Sequence, residues 1–196
     1  EAPPRHGFDH PEAHPVQEIR ALRSRMAGDL TIRLAGPDDD DAVAAMNAAM
    51  DLFYNPQLPP SPASDVTALM RRIATDDHLG TLVALAFEGS RPVGIAFFVL
   101  IHPGRRLGGV LFVKDLFVVE EVRGRSVGGA LMRFLARFAH DKGINRIDLT
   151  AEPQNKEAQR FYERHGMKVR PAIHYRLEGE GLDALAVNDG FPASHP

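Results

Sequence analysis

The chain has 196 residues, 44% of them hydrophobic, and a formal net charge of −3. That length suits one globular domain with a sizeable core and a tail, and the charge supplies no global field for nucleic acid or an anionic membrane. Cysteine is absent, which excludes a disulfide scaffold, a thiolate zinc site and a cysteine nucleophile. No apolar run approaches the roughly 20 residues that span a bilayer. No charged start followed by an apolar stretch marks a secretory signal, so a soluble, cytoplasmic protein is expected.

Residues 1–29 stand apart as an N-terminal arm. "EAPPRHGFDHPEAHP" is rich in proline and histidine and lacks periodicity. His6, His10 and His14 are four apart, as metal ligands on a helix would be, but Gly7, Pro11 and Pro15 argue against that helix. "PVQEIRALRSRMAG" then places Val16, Ile19, Leu22 and Met26 on one side, the pattern of a short amphipathic helix. The main domain is expected over 30–178, with a tail at 179–196.

"LTIRLA" reads as a strand. "GPDDDDAVAAMNAAMDLF" reads as a helix whose acids, Asp38 to Asp41, sit at the end where the macrodipole favours them, as a solvated start rather than a metal site. After the proline-rich loop "NPQLPPSPAS", "DVTALMRRIATDD" reads as a second helix. "TLVALAFEG" and "RPVGIAFFVLIHPG" read as a hairpin turning at Gly89 and Ser90. "GGVLFVKDLFVVEE" is a third long apolar run, followed by a glycine-rich turn and a helix. "INRIDLTAEP" is a strand, "NKEAQRFYERHG" a helix and "MKVRPAIHYRLEG" a last strand. The expected order, β-α-α-β-β-β-α-β-α-β, is a mixed α/β sheet: consecutive strands give antiparallel pairs, and the later helices permit parallel crossovers.

The turn "RGRSVGG" carries the chemistry. Val127, Leu131, Phe134, Leu135 and Phe138 form one apolar helical face, so Ser126 to Gly129 occupy the first turn. The N–H groups there lack internal partners, and the dipole is positive. Glycines keep side chains out of an anion's way, and Arg123 and Arg125 add charge, so the stretch is a phosphate cradle. Gly124 and Gly129 have the spacing of a triphosphate loop, but Ala130 and Leu131 replace its Lys and Ser/Thr. Ser126 breaks the spacing of a dinucleotide loop at its second glycine. A turn that only permits close helix–strand packing stays open.

The pattern Gln/Arg-x-x-Gly-x-Gly/Ala, after a strand and opening a helix, is the acetyl-CoA signature of the GNAT superfamily of N-acetyltransferases. Arg123, Ser126 and Gly128 resemble it, with Ser in place of the usual Gly; Ser126 is small and is expected to cap the helix. "NKEAQRFYERHGM" resembles the family's second segment through Asn155, Ala158, Phe161, Tyr162, Gly166 and Met167. The similarity runs from about Thr31 to Leu177 and is nearest to the diamine and small-amine branch.

The resemblance implies a fold in which two parallel strands, Gly109 to Val119 and Arg146 to Ala151, splay apart around acetyl-CoA. It implies a diphosphate held by Arg123, Gly124, Arg125, Ser126, Val127, Gly128 and Gly129, and a pantetheine arm along the backbone of Phe117, Val118 and Val119. Asn155 and Ala158 would lie on the cofactor, and Tyr162 would protonate the coenzyme A sulfur. Arg164 either reaches the adenosine phosphates or sits on a solvated helix face. The Val118 N–H is the implied oxyanion donor. Phe53, Tyr54 and the prolines between Asn55 and Pro62 would cover the acceptor side. The acceptor is expected to be a primary amine on a small molecule or peptide, the transfer direct and metal-free, and the assembly a homodimer. A non-catalytic acyl-CoA-binding module of the same fold is the rival.

The base is open between two acids. Strand alternation puts Lys114 and Asp115 on opposite faces and gives Asp115 the side of Val113 and Phe117. A charge on an apolar face needs a partner or a task, so Asp115 is either in a structural salt bridge with an arginine or the group that binds or deprotonates the amine. Where the diamine branch has two acids, this chain has Lys114 and Asp115, which speaks against a polyamine. Glu152, at the end of the next strand, is the second candidate. His102, His165 and His174 are isolated in sequence and suit surface or packing roles.

Overall fold

The computed structural model describes residues 30–75, 80–103 and 108–187. The histidines of the arm, its amphipathic segment and residues 188–196 of the tail lie outside the described residues. The chain forms two compact units, Glu1–Glu152 and Pro153–Pro196.

The first unit runs β1 (Leu30–Leu34), α1 (Asp40–Tyr54), α2 (Ala63–Thr75), β2 (Thr81–Glu88), β3 (Arg91–Ile101), β4 (Val110–Val118), α3 (Val127–Asp141) and β5 (Ile147–Leu149). The five strands form one sheet in chain order, antiparallel through β4 and parallel between β4 and β5. A parallel pair needs a crossover, and α3 supplies it. This is the expected mixed α/β sheet, with β5 shorter than the expected strand.

Each sheet face has its own cover. Val83, Leu85 and Phe87 of β2, Ile95 of β3 and Phe117 of β4 pack with Val43, Met46 and Met50 of α1 and Val66 of α2. On the other face Phe98 of β3 meets Phe138 of α3, ring centroids 5.4 Å apart. A Cβ on Gly94 would stand 3.1 Å from Leu131, 3.3 Å from Val127 and 3.3 Å from the Phe117 carbonyl. The missing side chain at Gly94 therefore lets the first turns of α3 lie directly on β3 and β4.

β4 carries a bulge. Asp115 pairs with Phe97, but Phe98 pairs with Val113, so Lys114 is the extra residue. Opposed residues of an antiparallel pair share a face. Phe97 packs against the α1/α2 core, and Phe98 faces α3. Asp115 therefore shares the α1/α2 face with Phe117, whereas Val113 looks toward α3. The simple alternation expected for Val113, Asp115 and Phe117 fails because one inserted residue reverses the pleat.

The acid run is not wholly a solvated helix start. Asp39 is buried and accepts from Arg33 at 2.5 and 2.7 Å and from the Gly36 N–H at 2.6 Å. These donors hold its carboxyl below the usual carboxylate range, Arg33 contributing most. Asp38 and Asp41 are exposed.

The second unit contains α4 (Lys156–Arg164) and α5 (Glu180–Val187). The strand expected over Met167–Gly179 does not form. A strand needs a ladder partner, this unit has no other strand among its described residues, and Pro171 removes a donor from the middle of the run. Val169, Ile173 and Tyr175 stay exposed. The tail, where no element was expected, begins with α5. Among the described residues no helix is long and apolar enough to cross a membrane.

Candidate active site

The first unit brings together the glycine-rich turn, the open end of β4 and the end of α1. The turn is built from unusual backbone. Gly124 and Ser126 both adopt positive φ, 78° and 67°. A Cβ at Gly124 would meet nothing within 4 Å, so the demand there is conformational rather than steric. Ser126 holds the N-cap position of α3 with no side-chain cap bond. The expected cap fails because an N-cap hydroxyl reaches the first turn from extended backbone, not from the left-handed region. The first intrahelical bond runs from the Ala130 N–H to the Ser126 carbonyl at 2.9 Å. The N–H groups of Val127, Gly128 and Gly129 accordingly have no intrahelical acceptor, and Arg125 is exposed beside them.

The ladder between β4 and β5 ends at Val113 and Leu149. From Lys114 onward β4 is paired only with β3. Backbone direction alternates along this half. The Val119 N–H bonds the Val93 carbonyl at 3.1 Å, so Val118 turns its own N–H and carbonyl to the open side. Of the three expected backbone partners Phe117, Val118 and Val119, Val118 thus directs its polar groups to the opening. Its carbonyl accepts from Arg123 Nε at 3.0 Å.

The end of α1 closes on the same place. The Arg123 guanidinium lies over the Phe53 ring, 4.3 Å from its centroid, and 5.7 Å from that of Phe117. Phe53 meets Phe117 at 5.7 Å and Tyr54 at 5.1 Å. Burial pushes the Tyr54 hydroxyl above its ordinary value; the Asp115 charge adds to the rise and Arg123 opposes it. Asp115 is partly covered, with 29% of its side chain exposed, and lies 3.5 Å from Lys114, whose side chain is 71% exposed. Lys114, largely exposed, is the ion-pair partner of Asp115, and the Asp115 charge is felt at Tyr54. Glu152 is exposed at the end of the first unit. The resemblance puts Phe53 and Tyr54 on the acceptor side; the contact of Phe53 with Arg123 and the influence of Asp115 on Tyr54 have no signal in the sequence.

In the second unit Asn155 caps α4, its Oδ1 accepting from the Ala158 N–H at 3.0 Å. The preference of Asn for this position is a signal the sequence carries. Ala158 and Tyr162, four apart, share a helix face. Tyr162 stands edge-on to Phe161 with centroids 5.2 Å apart. The helix ends with Gly166 at φ 84° and the Met167 N–H bonded to the Tyr162 carbonyl at 3.1 Å, the closure that a glycine after a helix permits. His165 Nδ1 lies 2.8 Å from the Phe161 carbonyl, a packing role, and Arg164 is exposed in the last turn. Among the described residues no group of three or more His, Asp or Glu could hold a metal ion.

The first unit thus sets an edge of β4 with no ladder to β5 beside a helix start suited to an anion. The acetyltransferase (GNAT) family matches residues 43–167, and the chain belongs to that family. The pig thialysine N-epsilon-acetyltransferase is 28% identical over 103 residues, which cover 50% of this chain and 60% of the pig protein. The chain thus spans less than two thirds of the length of that relative. An uncharacterized N-acetyltransferase of Bacillus subtilis is 24% identical over 151 residues, covering 76% of this chain and 97% of its own. The solved structure of an integron cassette protein from the mobile metagenome of Vibrio cholerae superposes with a TM-score of 0.72 at 28% identity. It covers 81% of this chain and 98% of that one. Members of the family use acetyl-CoA as cosubstrate.

Proposed function

We propose that the chain is an N-acetyltransferase that moves an acetyl group from acetyl-CoA directly to a primary amine on a small molecule or peptide. The observation that carries the proposal is the coincidence, in one unit, of an unpaired β4 edge at Val118 with a helix start that offers the N–H groups of Val127, Gly128 and Gly129. A linear ligand with amides along one part and a diphosphate at the next needs that pair of features. The catalytic domain in this reading runs over 30–178, and the protein is a cytoplasmic homodimer.

Acetyl-CoA supplies an activated acyl carbon. The chain's residues do the rest. Arg125 and the turn hold the diphosphate, and Arg164 serves the adenosine end. Asn155 and Ala158 lie along the arm. The Val118 N–H donates to the charge that grows on the thioester oxygen. An ammonium has no lone pair to attack with, so Asp115 takes its proton, directly or through water. Its partly covered place beside Tyr54 supports that role over Glu152, which remains the second candidate. Tyr162 returns a proton to the sulfur as the C–N bond forms and the C–S bond breaks. The pig relative is named for thialysine, which supports a side-chain-like primary amine.

Thiol release from acetyl-CoA with thialysine, lysine, a short diamine and a lysine-containing peptide tests the proposal. Turnover with at least one amine is expected, and Tyr162→Phe is expected to lower kcat by about 10²-fold or more. Acetyl-CoA binding without turnover would leave an acyl-CoA-binding module, and no binding would remove the cofactor site itself.

A further inference from the structure

We propose that Arg123 is a positioning residue that fixes the acceptor wall to the thioester-binding strand, and not a ligand of the diphosphate; the inference rests on the acetyl-CoA reading above. The motif alone gives Arg123 to the phosphates. Its side chain is engaged elsewhere. Nε donates to the Val118 carbonyl at 3.0 Å, and the guanidinium carbon lies over the Phe53 ring, 4.3 Å from its centroid, and 5.7 Å from that of Phe117.

Each contact has a consequence. The peptide that follows Val118 is held at both ends, its carbonyl by Arg123 and its N–H by Val93. That restraint sets the direction of the neighbouring Val118 N–H on the open edge. The stack on Phe53 ties the last turn of α1, with Tyr54, to the same peptide. Arg125 has no such contact among those of the turn, is exposed, and stays available to an anion. One flat guanidinium therefore sets the distance between the wall where the amine sits and the strand where the thioester sits. A planar fork with a directional N–H suits this task and a lysine ammonium does not.

The two roles predict opposite outcomes for two substitutions. Steady-state kinetics with acetyl-CoA and with S-acetylpantetheine, which lacks the diphosphate, use whichever amine of the panel turns over fastest. A positioning role predicts that Arg123→Lys lowers kcat/KM about tenfold with both thioesters, mainly through the amine KM. Arg123→Gln, whose amide still donates to the Val118 carbonyl and lies flat on Phe53, is expected to recover most of the activity. Retention by Arg123→Lys, with a loss in Arg123→Gln confined to acetyl-CoA, would overturn the proposal. Phe53→Leu provides a second route. It is expected to raise the amine KM alone and to add little on top of Arg123→Lys, and fully independent losses would also overturn the proposal. A wild-type protein that binds neither thioester would remove the parent reading, and the inference with it, before any variant is compared.

Discussion

The two halves of β4 are both mostly apolar and have opposite fates. Leu111 and Val113 are fully interior, with a strand on each side. Asp115 to Val118, beginning two residues beyond Val113, have β3 on one side and no ladder to β5 on the other. The boundary is the bulge at Lys114. One inserted residue ends the pairing, turns Asp115 toward the α1/α2 face and leaves Val118 with outward-directed backbone. The first half is structure and the second is site. The comparison teaches that hydrophobicity alone does not separate them; the unpaired backbone does.

Substitutions on either side of the bulge should separate cleanly. Asp115→Asn keeps shape and removes the base, so kcat/KM should fall by about 10² to 10⁴-fold while the melting temperature stays near that of the wild type. Steady-state rates beside a thermal melt check this; a large loss of stability with proportionate loss of rate would give Asp115 a structural role. Leu111→Ala should do the reverse, costing about 2–5 kcal/mol of stability with kcat unchanged for the folded fraction, as denaturant titration would show.

Gly94→Ala probes how the second half receives its helix. A methyl there meets Leu131, Val127 and the Phe117 carbonyl at 3.1–3.3 Å. The side chains can yield but the carbonyl cannot, so a loss of about 1–2 kcal/mol is expected together with weaker acetyl-CoA binding. Unchanged binding by calorimetry would mean that the seating of α3 does not govern the cradle. The smallest effect is expected from Ser126→Gly. Relief of the left-handed backbone should stabilise the protein by about 1 kcal/mol, seen as a higher melting temperature with acetyl-CoA affinity unchanged. A fall in stability would mean that the serine hydroxyl makes a bond worth more than the strain.

Much of this was legible in the residues. The hairpin of β2 and β3, the helix on Val127, Leu131 and Leu135, and the two signature segments follow from periodicity and motif. The bulge was not, because an inserted residue in "FVKDLFV" leaves no local mark; it is defined by the register against Phe97 and Phe98. The missing strand after Met167 shows the same limit. Alternating apolar residues state a preference, and only a neighbour with free backbone can realise it. The identity of Ser126 suggests a cap, whereas its φ of 67° decides otherwise. The direction of the Arg123 side chain depends on where Phe53 arrives from the end of α1, more than 60 residues earlier in the chain.

Amide hydrogen exchange followed residue by residue, with and without acetyl-CoA, tests the central claim most directly. Strong added protection is expected at Val118 and at Val127, Gly128 and Gly129, with Leu111 and Val113, already between two paired strands, unchanged. Binding without added protection at those four amides, or with protection spread equally over both halves of β4, would contradict the division between a structural half and a cofactor-binding half.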